Sequence, residues 1–476
     1  MTQHFKFIIV GAGPTGLGAA WRLHELNHKD WLIVEAAAEA GGLARSFVDN
    51  KGFTWDIGGH VQFSHYEYFD RVMDSLIGPE GWNSHQRESW IWMRDRFIPY
   101  PLQNNLHRLP ADDLNRCLEG LVNLATQFPK KVPHTFEDWI LSKFGNGIAD
   151  VFLRPYNQKV WAHEPSAMNA TWVGDRVAPT DLRKVLKNLV YQTDDRAWGP
   201  NNTFRFPKRG GTGAIWKACA SQLPSSRQAY NSAVTSIDLQ KRTLVLSDGS
   251  KFSYDALIST VPLSDLVKLT GRTDLDPVAS RGLLSSSSNI VGLGIAGQPP
   301  DALLTKSWIY FPESNCPFYR VTVFSNYAEA NVPTPGATWS LMCEVSESRY
   351  RPVNQPSLID SVVNGAVATG LVQDARQILS RWSYRTAYGY PVPGLERDAA
   401  LAQLLPEFER FGIYSRGRFG LWKYEVSNQD HSFMQGVELI ERIVGGRREL
   451  TSMDADAANS KKHPWPFELW NVTPAG

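Results

Sequence analysis

The chain has 476 residues, 42% of them hydrophobic, enough to bury the cores of two or three domains. Its 49 basic and 48 acidic side chains leave a formal charge of +1, which argues against a nucleic-acid partner. No apolar run nears the roughly 20 residues that span a bilayer, no signal peptide fits ahead of a strand starting at about Phe5, and Cys117, Cys219, Cys316 and Cys343 form no C-x-x-C pair. A cytoplasmic protein with buried free thiols is expected, without a metal site or a disulfide framework.

Phe5 to Val10 reads as a short buried strand ended by Gly11. A helix from Gly16 to about Leu26 and a second strand from Trp31 to Glu35 complete a βαβ unit. From about Asn105 to Tyr191 the pattern is helical, with Thr135 as an N-cap and Asp138 three residues on. Gly199 to Asn202 marks a loop, and the glycines from Gly210 to Gly213 lead into another helix. Ala233 to Asp248 alternates as a hairpin does, and Leu257 to Val261 is a further strand. Strands dominate from about Asn289 to Tyr388, at Trp308–Phe311, Tyr319–Phe324 and Trp339–Val345. A helix returns at Ser432–Val444, and residues 451–476 read as a loose polar tail.

Gly11-Ala12-Gly13-Pro14-Thr15-Gly16 is a G-x-G-x-x-G motif at a strand-to-helix junction. Gly11 allows the turn, Gly13 lets backbone approach a pyrophosphate, and Gly16 packs the helix on the strand. The helix start offers N–H groups to phosphate, and Glu35 ends the second strand where an acid holds ribose hydroxyls. Gly41-Gly42-Leu43-Ala44-Arg45-Ser46 resembles the extension that follows in flavoproteins of the glutathione-reductase and amine-oxidase type, which points to FAD rather than NAD.

Further motifs follow in order: Gly58-Gly59-His60-Val61-Gln62-Phe63-Ser64-His65-Tyr66, Tyr100-Pro101-Leu102-Gln103-Asn104-Asn105, Arg154-Pro155-Tyr156-Asn157-Gln158-Lys159-Val160-Trp161, Gly417-Arg418-Phe419-Gly420 and Tyr424 to Phe433. From about Phe7 to Val444 this set resembles the UDP-galactopyranose mutase family, in its long form from fungi and other eukaryotes. The resemblance implies an α/β fold: a Rossmann-like FAD-binding domain (1–104, 203–265 and 395–450), an inserted helical substrate domain (105–202) and an inserted antiparallel β-sheet domain (266–394). It also implies a non-redox interconversion of UDP-galactopyranose and UDP-galactofuranose. That reaction requires FAD reduced by an external donor such as NAD(P)H or dithionite, and passes through a covalent adduct of the sugar with flavin N5.

Carried over by motif, Arg176 and Arg320 clamp the diphosphate of the nucleotide-sugar substrate, helped by the hydroxyls of Tyr310, Tyr327, Tyr390 and Tyr424. His60 packs by flavin N5, with Gly59 beside it and His65 as loop support. Gly42, Leu43, Arg45, Val234, Arg418, Asn428, Gln429 and Ser432 join the glycine motif as cofactor contacts. Asn201 and Trp308 line the galactose cavity. Tyr100, Gln103, Phe152, Asn157 and Trp161 hold uracil. Two departures stand in that base pocket: Leu102 replaces an aromatic ring and Leu153 a methionine. They keep open the same chemistry on a dTDP- or GDP-deoxyhexose or UDP-N-acetylgalactosamine. An amine-oxidase-like flavin oxidase, or a non-catalytic flavoprotein, has no use for the paired arginines and the tyrosines. The loops at Gly58–Ser64 and Pro179–Asn188 are expected to move as substrate enters. Assembly, including a homo-oligomer, is left open.

Overall fold

Strand Gln3–Val10 runs parallel to Trp31–Val34 on one side and to Lys251–Ser259 on the other. The computed structural model describes residues 2–126, 132–178, 180–196 and 202–466. The first sheet runs in the order Val234–Asp238, Thr243–Leu246, Lys251–Ser259, Gln3–Val10, Trp31–Val34, Gln228–Ala229. Ile413–Ser415 also joins Lys251–Ser259 in parallel, so three distant stretches of chain close one sheet. Its strands are buried on both faces. Phe7 and Ile9 point towards helices Pro14–Glu25, Gly213–Gln222 and Gln429–Gly445, through Leu17, Trp216 and Phe433. Ile8 and Val10 point the other way, to Leu263, Leu266, Leu401 and Phe408. The molecule is therefore α/β, with helices on both faces of this sheet.

Helices Pro14–Glu25 and Gln429–Gly445 cross at glycines. A Cβ on Gly436 would lie 2.1 Å from the Thr15 carbonyl oxygen, and one on Gly18 would lie 2.2 Å from that of Phe433. Backbone occupies both positions, so neither contact can relax by turning a side chain. Gly436→Ala is expected to separate the helices and lower the melting temperature by several degrees, a loss of roughly 2–3 kcal/mol of the overpacking kind. An unchanged melting temperature would contradict this packing.

The same helix buries Glu438, which accepts from the Thr451 N–H at 2.8 Å and the Thr451 hydroxyl at 2.6 Å. Burial pushes its carboxyl up to about 8, against the lowering effect of those donors. The folded protein thus holds a proton that the unfolded chain releases near pH 4.5. That stability is fully present below this value and is lost as pH rises through about 8. Glu438→Gln is expected to flatten the fall in melting temperature between pH 5.5 and 8.5, a difference of up to about 3 kcal/mol. Parallel melting curves for the two proteins would contradict it.

The second sheet is mainly antiparallel: Ile378–Pro391, Ser285–Ala296, Thr338–Glu347, Arg320–Val323, Trp308–Tyr310, Ser89–Met93, Arg96–Pro99. Its last two strands come from the segment read above with the dinucleotide unit. Ile91, Met93 and Ile98 bury one face of that hairpin, but only the parallel pairing of Trp308–Tyr310 with Ser89–Met93 sets which sheet it joins. Between the sheets in sequence lie helices Ala111–Thr126, Phe136–Ile148, Arg154–Trp161 and Leu182–Tyr191. Thr135 and Asp138 form the reciprocal cap that their spacing predicts.

Two local expectations are corrected. Leu182–Asn188 is helical, with the Asp181 carboxylate accepting from the Arg183 and Lys184 N–H groups; Pro179 lies outside the described residues. Residues 451–466 are not loose. Leu450–Met453 and Ala455–Ser460 are short helices, the Tyr66 hydroxyl bonds Thr451 at 2.7 Å, and Trp465 sits 4.0 Å from the Tyr68 ring. A few apolar anchors in a polar stretch suffice. Among the described residues, no helix is long and apolar enough to cross a membrane, and all four cysteines are buried.

Candidate active site

The glycine loop closes against the second glycine turn. Gly11, at φ 103°, has no room for a Cβ, which would meet the Thr260 hydroxyl at 2.1 Å. Gly16 is equally constrained, its Cβ falling 1.9 Å from the Gly11 carbonyl oxygen. Gly13 differs. A Cβ there meets nothing in the chain closer than the Gly42 Cα at 3.7 Å, so packing within the protein does not require glycine at this position. The space it leaves lies over the start of helix Pro14–Glu25, which no side chain caps. Gly41 donates its N–H to the Ala12 carbonyl at 2.8 Å, and Glu35 accepts from the Ala12 N–H at 2.6 Å, fixing loop, turn and acid together. Gly13, Pro14, Gly42, Leu43 and Arg45 all keep partly exposed surface on this cradle. Thr15 is buried beneath it, against Gly417. This arrangement fits a dinucleotide pyrophosphate.

Other predicted cofactor residues converge from elsewhere. Arg418 donates to the Gly389 carbonyl at 3.1 Å and the Ser427 hydroxyl at 2.8 Å, and lies 4.9 Å over the Tyr390 ring. Asn428 opens helix Gln429–Gly445 and stays exposed; the Gln429 amide oxygen accepts from Trp216 at 2.7 Å, and Ser432 is buried. Val234 packs with Val10 and Leu43 in the core beneath the cradle. His65 gives its backbone N–H and ring Nδ1 to Asp430, at 3.0 and 2.9 Å, tying the His60 loop to that helix.

His60 follows Gly59, whose N–H donates to Glu344 at 3.1 Å. Burial, then the Arg418 and Arg320 charges, push its imidazole down to about 4, with Glu344 opposing them. The ring is neutral near pH 7. Its Nδ1 is buried without a partner among the described residues, which fits a ligand that the chain itself does not supply.

Arg320, paired with Glu344 across neighbouring strands, donates Nε–H to one carboxylate oxygen at 2.7 Å and Nη2–H to the other at 2.8 Å. Burial alone would raise the Glu344 carboxyl, but the Arg320 charge and its donors hold it below the usual range. Aromatic rings surround this pair. Tyr310 lies 5.3 Å from both Tyr100 and Tyr156, and Trp308 donates to the Tyr310 hydroxyl at 2.6 Å. Tyr390, Tyr424 and Trp161 pack mutually, and the Tyr319 hydroxyl is 3.4 Å from that of Tyr390. Burial raises the phenols of Tyr100, Tyr310, Tyr327 and Tyr424, so they are protonated donors at neutral pH. The Tyr327 hydroxyl is buried without a partner among the described residues.

Arg176 is anchored by other parts of the chain than Arg320. It donates to the Glu425 carbonyl and, at 2.8 Å, to Asn459 Oδ1. Both arginine charges act to lower the Tyr424 phenol, although burial and Tyr390 outweigh them there. In the region assigned to uracil, Gln103 donates to the Ala178 carbonyl at 2.6 Å, Asn157 to that of Leu153 at 2.8 Å, and Phe152 stacks on Tyr156 at 5.3 Å. Leu102 has no exposed surface and belongs to the core of the helical region; Leu153 is nearly as buried. Asn201 lies outside the described residues. Glu344, Tyr319 and Tyr156 complete the cage and were not singled out from sequence. A lone acid in the otherwise uncharged run Thr338–Val345 is the signal that marks Glu344.

Residues 14–353 match the family described as flavin containing amine oxidoreductase. A crystal structure of reduced UDP-galactopyranose mutase is 48% identical to this chain, covers 98% of it and 99% of its own length, and superposes with a TM-score of 0.94. A putative protoporphyrinogen oxidase from Exiguobacterium (15% identity, 93% and 99% coverage, TM-score 0.68) and a putrescine oxidase (14%, 94% and 100%, 0.59) share the fold. The chain belongs to the UDP-galactopyranose mutase family: it is an FAD-dependent isomerase built on the fold of the flavin-containing amine oxidoreductases.

Proposed function

We propose that this chain interconverts UDP-galactopyranose and UDP-galactofuranose, as a long, eukaryotic-type member of its family. The observation that carries the reading is Arg320, a fixed charge inside a cage of protonated phenols, in a fold that also carries a cradle suited to a dinucleotide. FAD would be held by the Gly11–Gly16 loop, Glu35, the Gly41–Arg45 turn and the Gly417–Arg418 and Asn428–Ser432 segments; in its reduced form it would supply a nucleophile for the anomeric carbon. Arg320 and Arg176 bind the diphosphate, and Tyr310, Tyr327, Tyr390 and Tyr424 donate hydroxyls to it. As the sugar–phosphate bond breaks, negative charge gathers on the diphosphate, and these preset donors favour that state over the ground state. His60, neutral near pH 7, would lie beside the flavin, with its unpartnered Nδ1 available to a bound ligand. On this reading Trp308 would face the sugar, and Tyr100, Gln103, Phe152, Asn157 and Trp161 would take the uracil; Asn201, outside the described residues, is assigned to the sugar by family motif alone.

The buried packing of the base-binding side chains supports a helical segment, 105–202, that shifts to admit nucleotide and then excludes water. On this assignment the β-rich segment 266–394 supplies Arg320 and three of the tyrosines. The test is a panel of nucleotide sugars offered to the reduced enzyme and resolved by chromatography. Isomerisation of UDP-galactose alone supports the assignment. Isomerisation of a dTDP- or GDP-linked sugar, with UDP-galactose untouched, overturns the uracil site.

A further inference from the structure

This inference rests on the reading that Arg320 binds the diphosphate, and concerns what aims it. Glu344 sits in strand Thr338–Glu347 opposite Arg320 and is 2% exposed. Its strand neighbours Leu341, Met342, Cys343 and Val345 are buried and uncharged. A carboxylate in such a place is strongly unfavourable unless its oxygens are satisfied. Here both are. Oε1 accepts from Arg320 Nε at 2.7 Å and from the Gly59 N–H at 3.1 Å. Oε2 accepts from Arg320 Nη2 and from the Tyr319 hydroxyl, each at 2.8 Å.

A guanidinium presents two forked edges, and a carboxylate can occupy only one of them. Glu344 occupies the Nε/Nη2 edge. The Nη1/Nη2 edge is left facing away from Glu344, and Nη1 has no partner among the described residues. That edge matches the spacing of two phosphate oxygens. The same carboxylate reaches the loop of His60 through Gly59, which has little freedom to withdraw: a Cβ there would lie 2.7 Å from the Thr322 hydroxyl. Through Tyr319 it also reaches Tyr390, 3.4 Å away.

We propose that Glu344 is a positioning residue: it engages one edge of Arg320 so that the other edge meets the diphosphate, and it fastens the His60 loop to the same carboxylate. Such a role predicts that the effect of altering Glu344 depends on the residue at 320. A generic structural role predicts the same loss whatever stands there.

The experiment titrates UDP against the FAD-loaded enzyme, read by flavin fluorescence, in four forms: wild type, E344Q, R320K and the double variant. E344Q is expected to weaken UDP binding about 10-fold when Arg320 is present and under about 2-fold when Lys replaces it. Equal losses in the two backgrounds, or no loss in either, overturn the proposal. Absence of UDP binding by the wild type overturns the diphosphate reading itself, and the proposal with it. If E344Q fails to hold FAD, Tyr319→Phe replaces it, removing one donor while keeping the charge. It is expected to weaken UDP about 3-fold with Arg320 and not at all with Lys, and equal losses again overturn the proposal.

Discussion

Arg320→Ala is expected to lower turnover by at least roughly 10²–10³-fold while flavin remains bound. The substitution removes a fixed cation whose free edge meets the departing diphosphate, where charge builds only as the bond breaks. It has a second effect that must be separated from the first. Glu344, buried and ionised, would lose its partner, and leaving such a charge uncompensated costs roughly 3–5 kcal/mol. The melting temperature should therefore fall as well. The double variant Arg320→Ala with Glu344→Gln removes both charges together. It is expected to regain most of the lost stability and none of the lost turnover. Recovery of turnover with stability would mean that Arg320 acts only through folding. Full turnover in Arg320→Ala would remove it from the site.

The second large effect separates two glycines of one motif. Gly16→Ala places a Cβ 1.9 Å from the Gly11 carbonyl oxygen, so the helix must move off the strand whether or not cofactor is bound. Gly13→Ala places a Cβ in ordinary van der Waals contact, 3.7 Å from the Gly42 Cα. Gly13→Ala is expected to fold with near-normal far-ultraviolet circular dichroism but to purify without flavin. Gly16→Ala should lose both, with a stability deficit of roughly 3 kcal/mol or more. Absorbance at the flavin bands, set beside the melting curve, distinguishes them. A yellow Gly13→Ala protein with wild-type FAD content would contradict the assignment of that space to the pyrophosphate.

The first βαβ unit was legible because its signals are local. An apolar strand, a glycine at the turn and an acid at the next strand end lie within some thirty residues, and the structure places them as that spacing requires. The Thr135–Asp138 cap was legible for the same reason. The hairpin Ser89–Pro99 was not, since its pattern reveals strands but not the sheet they complete, which is set by Trp308–Tyr310 more than two hundred residues away. Residues 451–466 look polar, yet Tyr66 and Trp465 anchor them to the first helices. The tyrosines named around Arg320 came from family motifs rather than from any local pattern, because they derive from segments scattered between Tyr100 and Tyr424. Glu344 escaped even that comparison. Its meaning depends on a cross-strand partner, and only the register of Arg320 against Glu344 reveals it.

The most direct test of the central claim is anaerobic incubation of the purified enzyme with UDP-galactofuranose, with and without dithionite, followed by chromatography. The account predicts conversion to UDP-galactopyranose only in the reduced sample, with the flavin still reduced at the end. Equal conversion without reductant, or none in either sample from a protein whose flavin is bound and fully reduced, would contradict it.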